Sequence, residues 1–479
     1  MPDLQPRALI PWAVAFLEGF STLAVEVIAI RLAVPVVGSS VILTGVMLGV
    51  VLLALSAGYW RGGALSAKWD RARTRTVLGR NLLIAAAVYG VVAFPFEARL
   101  LDRLLDSLNL PLSIAITATL LYLAPVYFAS QTVPMLAELN GGDGHAGRAS
   151  GKVLFFSTLG SVAGGVFTPV YLFPSLGVAR TGYLVCAVLV VAAILMAANQ
   201  TGAVQSAAMG CLALAAGIGM RLATSPRGDL FAFDSPYQTI RIVDQRATNG
   251  RMERVLIMGG GGASGIYAAT GETSFAYTLA AERLLRESEA KTALVIGAAG
   301  FTFPRDVARF PEVSRIDAVD VDPSVKRIAE QRFLRAPLPA KVHFIPQSAR
   351  FAVRKLARET ARYEFTFVDT YYGKGIPDEL VTTEFFHDVG AVSDRTVVNA
   401  VMDRDLESDF ARNILASFRN SYGAVWLIDA KPDDDSFLAN YLVLSWPASG
   451  STPWNGTGDG YHDDRNNADR DRVALMWGP

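Results

Sequence analysis

The first 222 residues are a succession of apolar runs, and the earliest two, 8–33 and 34–60, are each long enough to cross a bilayer core of ~30 Å. Further apolar segments occupy 81–96, 111–131, 152–173, 178–198 and 203–222. The pattern predicts a transmembrane helical bundle of six to seven spans over 1–224. Overall, 51% of the residues are hydrophobic and 18% charged, too apolar a balance for an ordinary soluble chain. Before Ser225 there are 14 Lys/Arg against 9 Asp/Glu, and from there on 30 against 35, so a net charge of zero hides a basic apolar half and a mildly acidic one. The two cysteines, Cys186 and Cys211, both lie in apolar runs and read as packing residues, not as a disulfide framework. No cleavable signal peptide is expected.

Between the second and third runs lie Arg61, Lys68, Arg71, Arg73, Arg75 and Arg80, which read as a cytoplasmic loop over 61–80. The leucines of 97–110 recur at helical spacing with charges opposite, as in an amphipathic helix lying at the interface. Gly160 and Gly164, and Ser157 and Ser161, are four apart and permit close helix packing. Glu18, Glu26 and Arg31 fall inside the first run. Burying them is costly, so each needs a partner within the bundle or, for Arg31, a place at the interface; a polar pocket for an amine or lipid headgroup is the functional alternative.

Topology raises a conflict. A cytoplasmic 61–80 loop puts the N-terminus in the cytoplasm, and seven crossings would then put the rest of the chain outside. Either one segment fails to cross, with 81–96 and the 178–222 hairpin as candidates, or the C-terminal half is external.

From Ser225 the pattern changes to short strands alternating with amphipathic helices. Thr239 to Asp244 and Met252 to Met258 read as a hairpin in a small β-subdomain over 225–273, with Gly259 to Gly262 as a flexible turn. A Rossmann-like α/β domain is expected over 274–448, with about seven strands, and a mobile polar tail over 449–479. Its centre is 292–323. The apolar strand 293–296 runs into Gly297-Ala298-Ala299-Gly300, a helix follows, and a second strand ends in Asp320 and Asp322. Small residues let a ligand approach the backbone, the helix N-terminus offers free N–H groups, and the carboxylate about twenty positions on can accept from ribose hydroxyls.

Several pieces, in order, resemble the spermidine synthase family of aminopropyltransferases. They are Ser235-Pro236-Tyr237-Gln238, Val295-Ile296-Gly297, Arg305-Asp306-Val307, Asp320-Val321-Asp322-Pro323, the run from Tyr363 to Asp369, and Thr383-Glu384-Phe385-Phe386. The apolar front half, with its Glu26 to Arg31 segment and Gly38-Ser39-Ser40, looks like the membrane-spanning part of some bacterial members. The resemblance implies an S-adenosylmethionine-methyltransferase-type fold with Asp369 as the catalytic carboxylate. It also implies Gln238, Gly297, Gly300, Asp320, Asp322 and Ser348 around the co-substrate, decarboxylated S-adenosylmethionine or S-adenosylmethionine itself, and no metal. Tyr237, Tyr277, Tyr371 and Tyr372 are expected on the acceptor side.

The departures from the family are as informative. Its Gly-Gly-Gly-Asp-Gly-Gly turn is here Gly297-Ala298-Ala299-Gly300-Phe301-Thr302, and its Tyr-His-Glu is Tyr277-Thr278-Leu279. Gln347-Ser348 stands where a Gly-Asp pair reads adenine, and the second aspartate after the catalytic one falls within Thr370-Tyr371-Tyr372. A groove with fewer carboxylates disfavours a multiply charged acceptor such as putrescine. Two readings follow: a membrane-embedded transferase acting on another small or lipid-linked amine, or a catalytically degenerate module that binds, regulates or scaffolds the bundle. Transport by the bundle itself is a third. The expected partners are the lipid bilayer and the amine, with no nucleic acid, and a homo-oligomer is compatible with either reading. The expected location is a bacterial-type inner membrane, multi-pass, with the soluble domain on the cytoplasmic side.

Overall fold

In the computed structural model, residues 9–477 are described apart from 39, 106, 142–145, 198–202 and 225–227. Ser39 of the Gly38-Ser39-Ser40 motif and the expected boundary at Ser225 therefore lie outside the described residues. The chain divides into two compact units, Met1–Arg227 and Gly228–Pro479.

The first unit is helical: α1 Ile10–Val37, α2 Val41–Ser66, α3 Arg71–Val88, α4 Phe94–Leu105, α5 Leu110–Ser130, α6 Thr132–Asn140, α7 Ala146–Phe167, α8 Phe173–Ala197 and α9 Ala203–Thr224. Single π turns, Tyr89–Ala93 and Thr168–Leu172, carry α3 into α4 and α7 into α8. Among the described residues, five stretches are long and apolar enough to cross a membrane: Ile10–Val37, Val41–Ser66, Arg71–Ala93, Leu110–Asn140 and Gly147–Ala197. The segments 152–173 and 178–198, read separately in the sequence, both fall within the last of these stretches, which is interrupted where Gly177 leaves the helix at φ 80, ψ 162.

The basic segment 61–80 is not a loop. Helix α2 continues to Ser66 and α3 opens at Arg71, because Asp70 caps α3, its Oδ1 accepting from Arg73 N at 2.7 Å. Lys68 therefore lies in the short connection 67–70, and the other five cations lie on α2 and α3. Helix α4 is amphipathic as expected, with Arg99, Asp102 and Arg103 exposed, but its Glu97 turns inward and accepts a hydrogen bond from the Tyr122 hydroxyl.

Helices α1 and α7 pack backbone to backbone. A Cβ on Gly160 would lie 2.0 Å from Phe16 O, and one on Gly164 2.2 Å from Phe20 O. The Ser161 hydroxyl donates to Gly19 O at 3.2 Å, and Glu18 accepts from Thr22 and from Ser157, both at 3.1 Å. Arg31 is buried, with its guanidinium 5.8 Å from the Phe173 ring centroid.

The second unit opens with an antiparallel four-stranded sheet, β1 Asp229–Asp234, β2 Thr239–Arg246, β3 Met252–Met258 and β4 Gly261–Tyr267, paired in that order. The expected hairpin is its middle. Gly259 and Gly260 form the turn, while Gly261 and Gly262 belong to β4, a strand whose glycines conceal it from β-propensity.

Next come α10 Ala276–Glu287, β5 Thr292–Ile296, α11 Thr302–Val307, β6 Arg315–Asp320, α12 Val325–Ile328, β7 Val342–Pro346, α13 Ala349–Arg358 and β8 Phe365–Val368. The chain finishes with α14 Thr383–Val392, β9 Thr396–Asp403, α15 Asp409–Tyr422, β10 Trp426–Asp429, β11 Leu438–Leu444, β12 Thr452–Pro453 and α16 Ala468–Trp477. The sheet order is β12-β10-β11-β9-β8-β5-β6-β7. It is parallel from β7 to β9, and β11 is antiparallel to β9 and β10. Both faces are covered, so β5 is apolar after Thr292: Leu294 and Ile296 join one core, Ala293 and Val295 the other. The strand order reverses between β5 and β8, and ligands of such sheets bind at that switch point.

The polar tail is ordered against the sheet. Strand β12 pairs with β10, and Tyr461 is buried with its hydroxyl donating to Asp471 at 3.0 Å. The Arg419 guanidinium covers the Trp454 ring at 4.8 Å. A few aromatics and ion pairs hold a segment whose average composition reads as unstructured.

The helix contact gives a test. Gly160→Val cannot be accommodated beside Phe16 O without separating α1 and α7, so it should destabilise the detergent-solubilised protein by about 1–3 kcal/mol, read as a lower unfolding midpoint. An unchanged midpoint would show that the two helices are not in contact.

Candidate active site

The site is built at the carboxyl ends of β5, β6 and β8. Asp369 N donates to Ile296 O at 2.8 Å, and Gly297 N donates to Val319 O at 2.9 Å. Gly297 has φ 95, and a Cβ there would sit 2.0 Å from Asp369 O, so glycine is required on both counts. The turn then bends around one carboxylate. Asp320 Oδ2 accepts from Ala298 N and Ala299 N, each at 3.1 Å, and Oδ1 from Asp322 N at 3.0 Å. Burial is the largest effect on Asp320 and raises its pKa, with these bonds opposing.

Two non-glycine residues hold left-handed conformations in this turn, Ala299 at φ 42 and Phe301 at φ 58. The Phe301 ring is fully buried, 5.4 Å from that of Phe344, and this packing holds its backbone in place. Gly300 faces protein: its N–H donates to Ser264 Oγ at 3.1 Å, and a Cβ would meet Phe333 at 2.7 Å. Asp322 caps the next turn, its Oδ1 accepting from Ser324 N at 2.9 Å, while Oδ2 is buried without a partner. Ser348 is the exposed N-cap residue of α13, and beside it Gln347 Oε1 is buried and unpartnered.

Asp369 follows β8. Its Oδ1 accepts from Asn399 Nδ2 at 2.8 Å, and Asn399 Oδ1 accepts from Asn440 Nδ2 at 3.0 Å. Burial pushes the Asp369 carboxyl up to about 6, opposed by the bonds from Asn399 and Tyr277. The Tyr277 phenol is pushed up in turn by its own burial first, then by the Asp369 charge. Asn399 and Asn440 do not figure among the residues the sequence reading selects. The available signal is an asparagine interrupting the apolar strand Thr-Val-Val-Asn-Ala-Val-Met of β9.

The four tyrosines separate into different roles. The Tyr277 hydroxyl donates to Ala263 O at 3.4 Å and lies near enough to Asp369 to favour its ionised form. The Tyr371 hydroxyl accepts from Val401 N at 2.9 Å and donates to Asn399 O at 3.3 Å, bracing the neighbouring strand. The Tyr372 hydroxyl donates to Tyr237 O at 2.7 Å, tying the loop after Asp369 to the turn between β1 and β2. Gln238, in the same turn, is buried, and its Oε1 has no partner.

The O-methyltransferase family model matches residues 272–374, an interval that contains Tyr277, Gly297, Asp320 and Asp369. The polyamine aminopropyltransferase of Vibrio vulnificus (strain CMCP6) is 32% identical over 103 residues, which is 21% of this chain and 34% of that protein. The C-terminal half is similar to the spermidine synthase family. The chain spans about a third of the length of this curated relative. Among solved structures, a probable spermidine synthase from Corynebacterium glutamicum ATCC 13032 is 16% identical with a TM-score of 0.37, covering 52% of this chain and 86% of that one. Spermidine synthase from Thermotoga maritima is 16% identical with a TM-score of 0.34, covering 50% and 82%.

The electrostatics of Asp369 make a stability prediction. Its folded pKa of about 6 lies above the ordinary value of 3.8, so the native state holds the proton more tightly. Stability is therefore lost as pH rises from the unfolded to the folded value, by at most about 3 kcal/mol. Asp369→Asn should raise the unfolding free energy relative to wild type at pH 8 and leave it nearly unchanged at pH 4. A variant less stable than wild type at pH 8 would contradict this.

Proposed function

We propose that the second unit is an alkyl transferase of spermidine-synthase type. It moves an aminopropyl or related group from the sulfonium of decarboxylated S-adenosylmethionine, or of S-adenosylmethionine, to an amine other than ordinary putrescine. The observation that carries this reading is Asp369: an acid with a pKa near neutrality, backed by Asn399 and Tyr277, against the Gly297 turn.

The sulfonium is already an activated leaving group, so the protein needs only to align a neutral nitrogen with the carbon and remove its proton. As the new C–N bond forms, the C–S electrons return to sulfur. The nitrogen's proton passes to Asp369, and a thioether leaves. The residues present suit an adenosyl group. Gln238 Oε1, Asp322 Oδ2 and Gln347 Oε1 are buried acceptors without partners. Asp320 accepts three backbone N–H groups and, with roughly four lone-pair sites on a carboxylate, retains capacity for a ribose hydroxyl. The acceptor side offers aromatic surface and one carboxylate, which suits a singly charged or neutral amine, including one carried on a lipid. The first unit would hold the enzyme in a bacterial inner membrane as a multi-pass protein, with the second unit cytoplasmic.

A second reading, a binding or scaffold module without turnover, is favoured by the occupation of both Asp320 oxygens within the turn and by the buried Phe301. Calorimetry with S-adenosylmethionine, its decarboxylated form and methylthioadenosine separates the readings from a protein that binds none of them.

Turnover, measured as methylthioadenosine release across a panel of amines, should rise with pH as Asp369 ionises around 6. Asp369→Asn should lower it by ~10²–10⁴ without abolishing nucleoside binding. Efficient use of putrescine, or an unaffected variant, would sink the assignment.

Cysteines engineered near 70 and 455 should both resist an impermeant reagent in intact cells. Labelling at 455 would put the second unit outside.

A further inference from the structure

The loop that leaves Asp369 is held from two sides. On one, Gly373 lies against the turn of β3 and β4: a Cβ on Gly259 would be 2.9 Å from Gly373 N, and one on Gly261 2.5 Å from Gly373 O. On the other, the C-terminal helix α16 sends Arg472 into the loop. Arg472 Nη1 donates to Ile376 O at 2.8 Å, Nη2 donates to Asp469 Oδ1 at 2.6 Å, and Asp378 Oδ1 lies 3.9 Å from the guanidinium. Asn466 Nδ2 donates to Asp378 O at 2.7 Å, and Lys374 Nζ sits 5.2 Å from the Trp477 ring centroid. Arg472 is only 9% exposed. A Cβ on Gly375 would fall 2.3 Å from Arg472 Nη1, so a side chain at 375 would displace the guanidinium from its place against the loop.

We infer that α16 is a clamp on the acceptor side of the site, with Arg472 as a positioning residue for the loop over 370–378. The inference rests on the transferase reading for its kinetic consequence, but not for its structural one. Tyr371 and Tyr372 immediately follow Asp369 and Thr370, and the first braces the Asn399 strand while the second reaches Tyr237. A loop fixed at Ile376 and Asp378 keeps both rings in place. A buried guanidinium is expensive to leave without acceptors, so the clamp is closed whenever α16 is docked. The shape offered to the amine is thus set by a helix roughly a hundred residues further along the chain than Asp369.

The test uses the full chain in detergent, as wild type, Arg472→Met, Arg472→Lys and Gly375→Ala. The last attacks the same contact from the loop side. Hydrogen exchange should accelerate at least about tenfold over 370–378 in Arg472→Met and Gly375→Ala, remain unchanged over 292–300, and be partly restored in Arg472→Lys. Where an amine is turned over, its KM should rise about tenfold in the first two variants, with nucleoside Kd unchanged. Unchanged exchange over 370–378 in both variants would overturn the clamp, as would equal acceleration over 292–300, which would mark Arg472 as a general stability contact. Wild type that turns over no amine would defeat the transferase reading alone, because exchange still decides the clamp.

Discussion

The second unit depends on one close approach, the backbone of Gly297 against the carbonyl of Asp369. Strands β5 and β8 are neighbours in a parallel sheet, and their exits diverge at the switch point. The two chains can separate only if the first residue past β5 carries no side chain. That single absence sets the distance between the turn over which an adenosyl group would lie and the carboxylate that would serve the incoming nitrogen. Every other device in the site acts on one of those two strand exits. Asp320 gathers the turn after β5, Asn399 and Tyr277 orient the acid after β8, and Arg472 fixes the loop beyond it.

Each device has an opposing cost. The bonds that let Asp320 shape its turn occupy most of its capacity to accept from a ligand. Burial that brings Asp369 into the range of a useful base makes its ionised form a burden on the fold. Phe301 occupies a left-handed position that suits glycine, and its buried ring compensates by filling the space between the turn and β7. A sheet of this kind tolerates such conflicts because its strands are buried on both faces and have no freedom to relax.

What the sequence shows and what it conceals follow from the range of the forces involved. The apolar run of β5, the small-residue turn and the acidic end of β6 are local patterns, and they are legible because both faces of the strand are covered. Spacing of Gly160 and Gly164 likewise marks a face fit for close helix packing, though not α1 as its partner. Strand β4 is hidden because its glycines answer to packing against other elements, not to strand propensity. Asn399 and Asn440 matter only through a chain of bonds ending at Asp369, which no window of sequence contains. The tail misleads for the same reason, since Tyr461 N donates to Ser417 Oγ and Arg472 to Ile376 O, both far away in the chain. The 61–80 segment misleads differently: six cations obscure a helix cap at Asp70 that any reading by charge alone passes over.

Gly177 has a bearing on more than the path of one helix. A continuous helix of 51 residues would be about 76 Å long at 1.5 Å per residue, far more than a bilayer core. Both α7 and α8 pack on α1, which has only 28 residues. The break at Gly177 divides the stretch into two legs, each of at least about 20 residues and so long enough to span a bilayer core. If both legs cross, the number of crossings before α9 becomes six instead of five. Parity then changes from odd to even, and the chain reaches α9 on the side from which it entered. The sidedness of such a protein would be decided by the backbone angles of one glycine as much as by the charges that flank its helices.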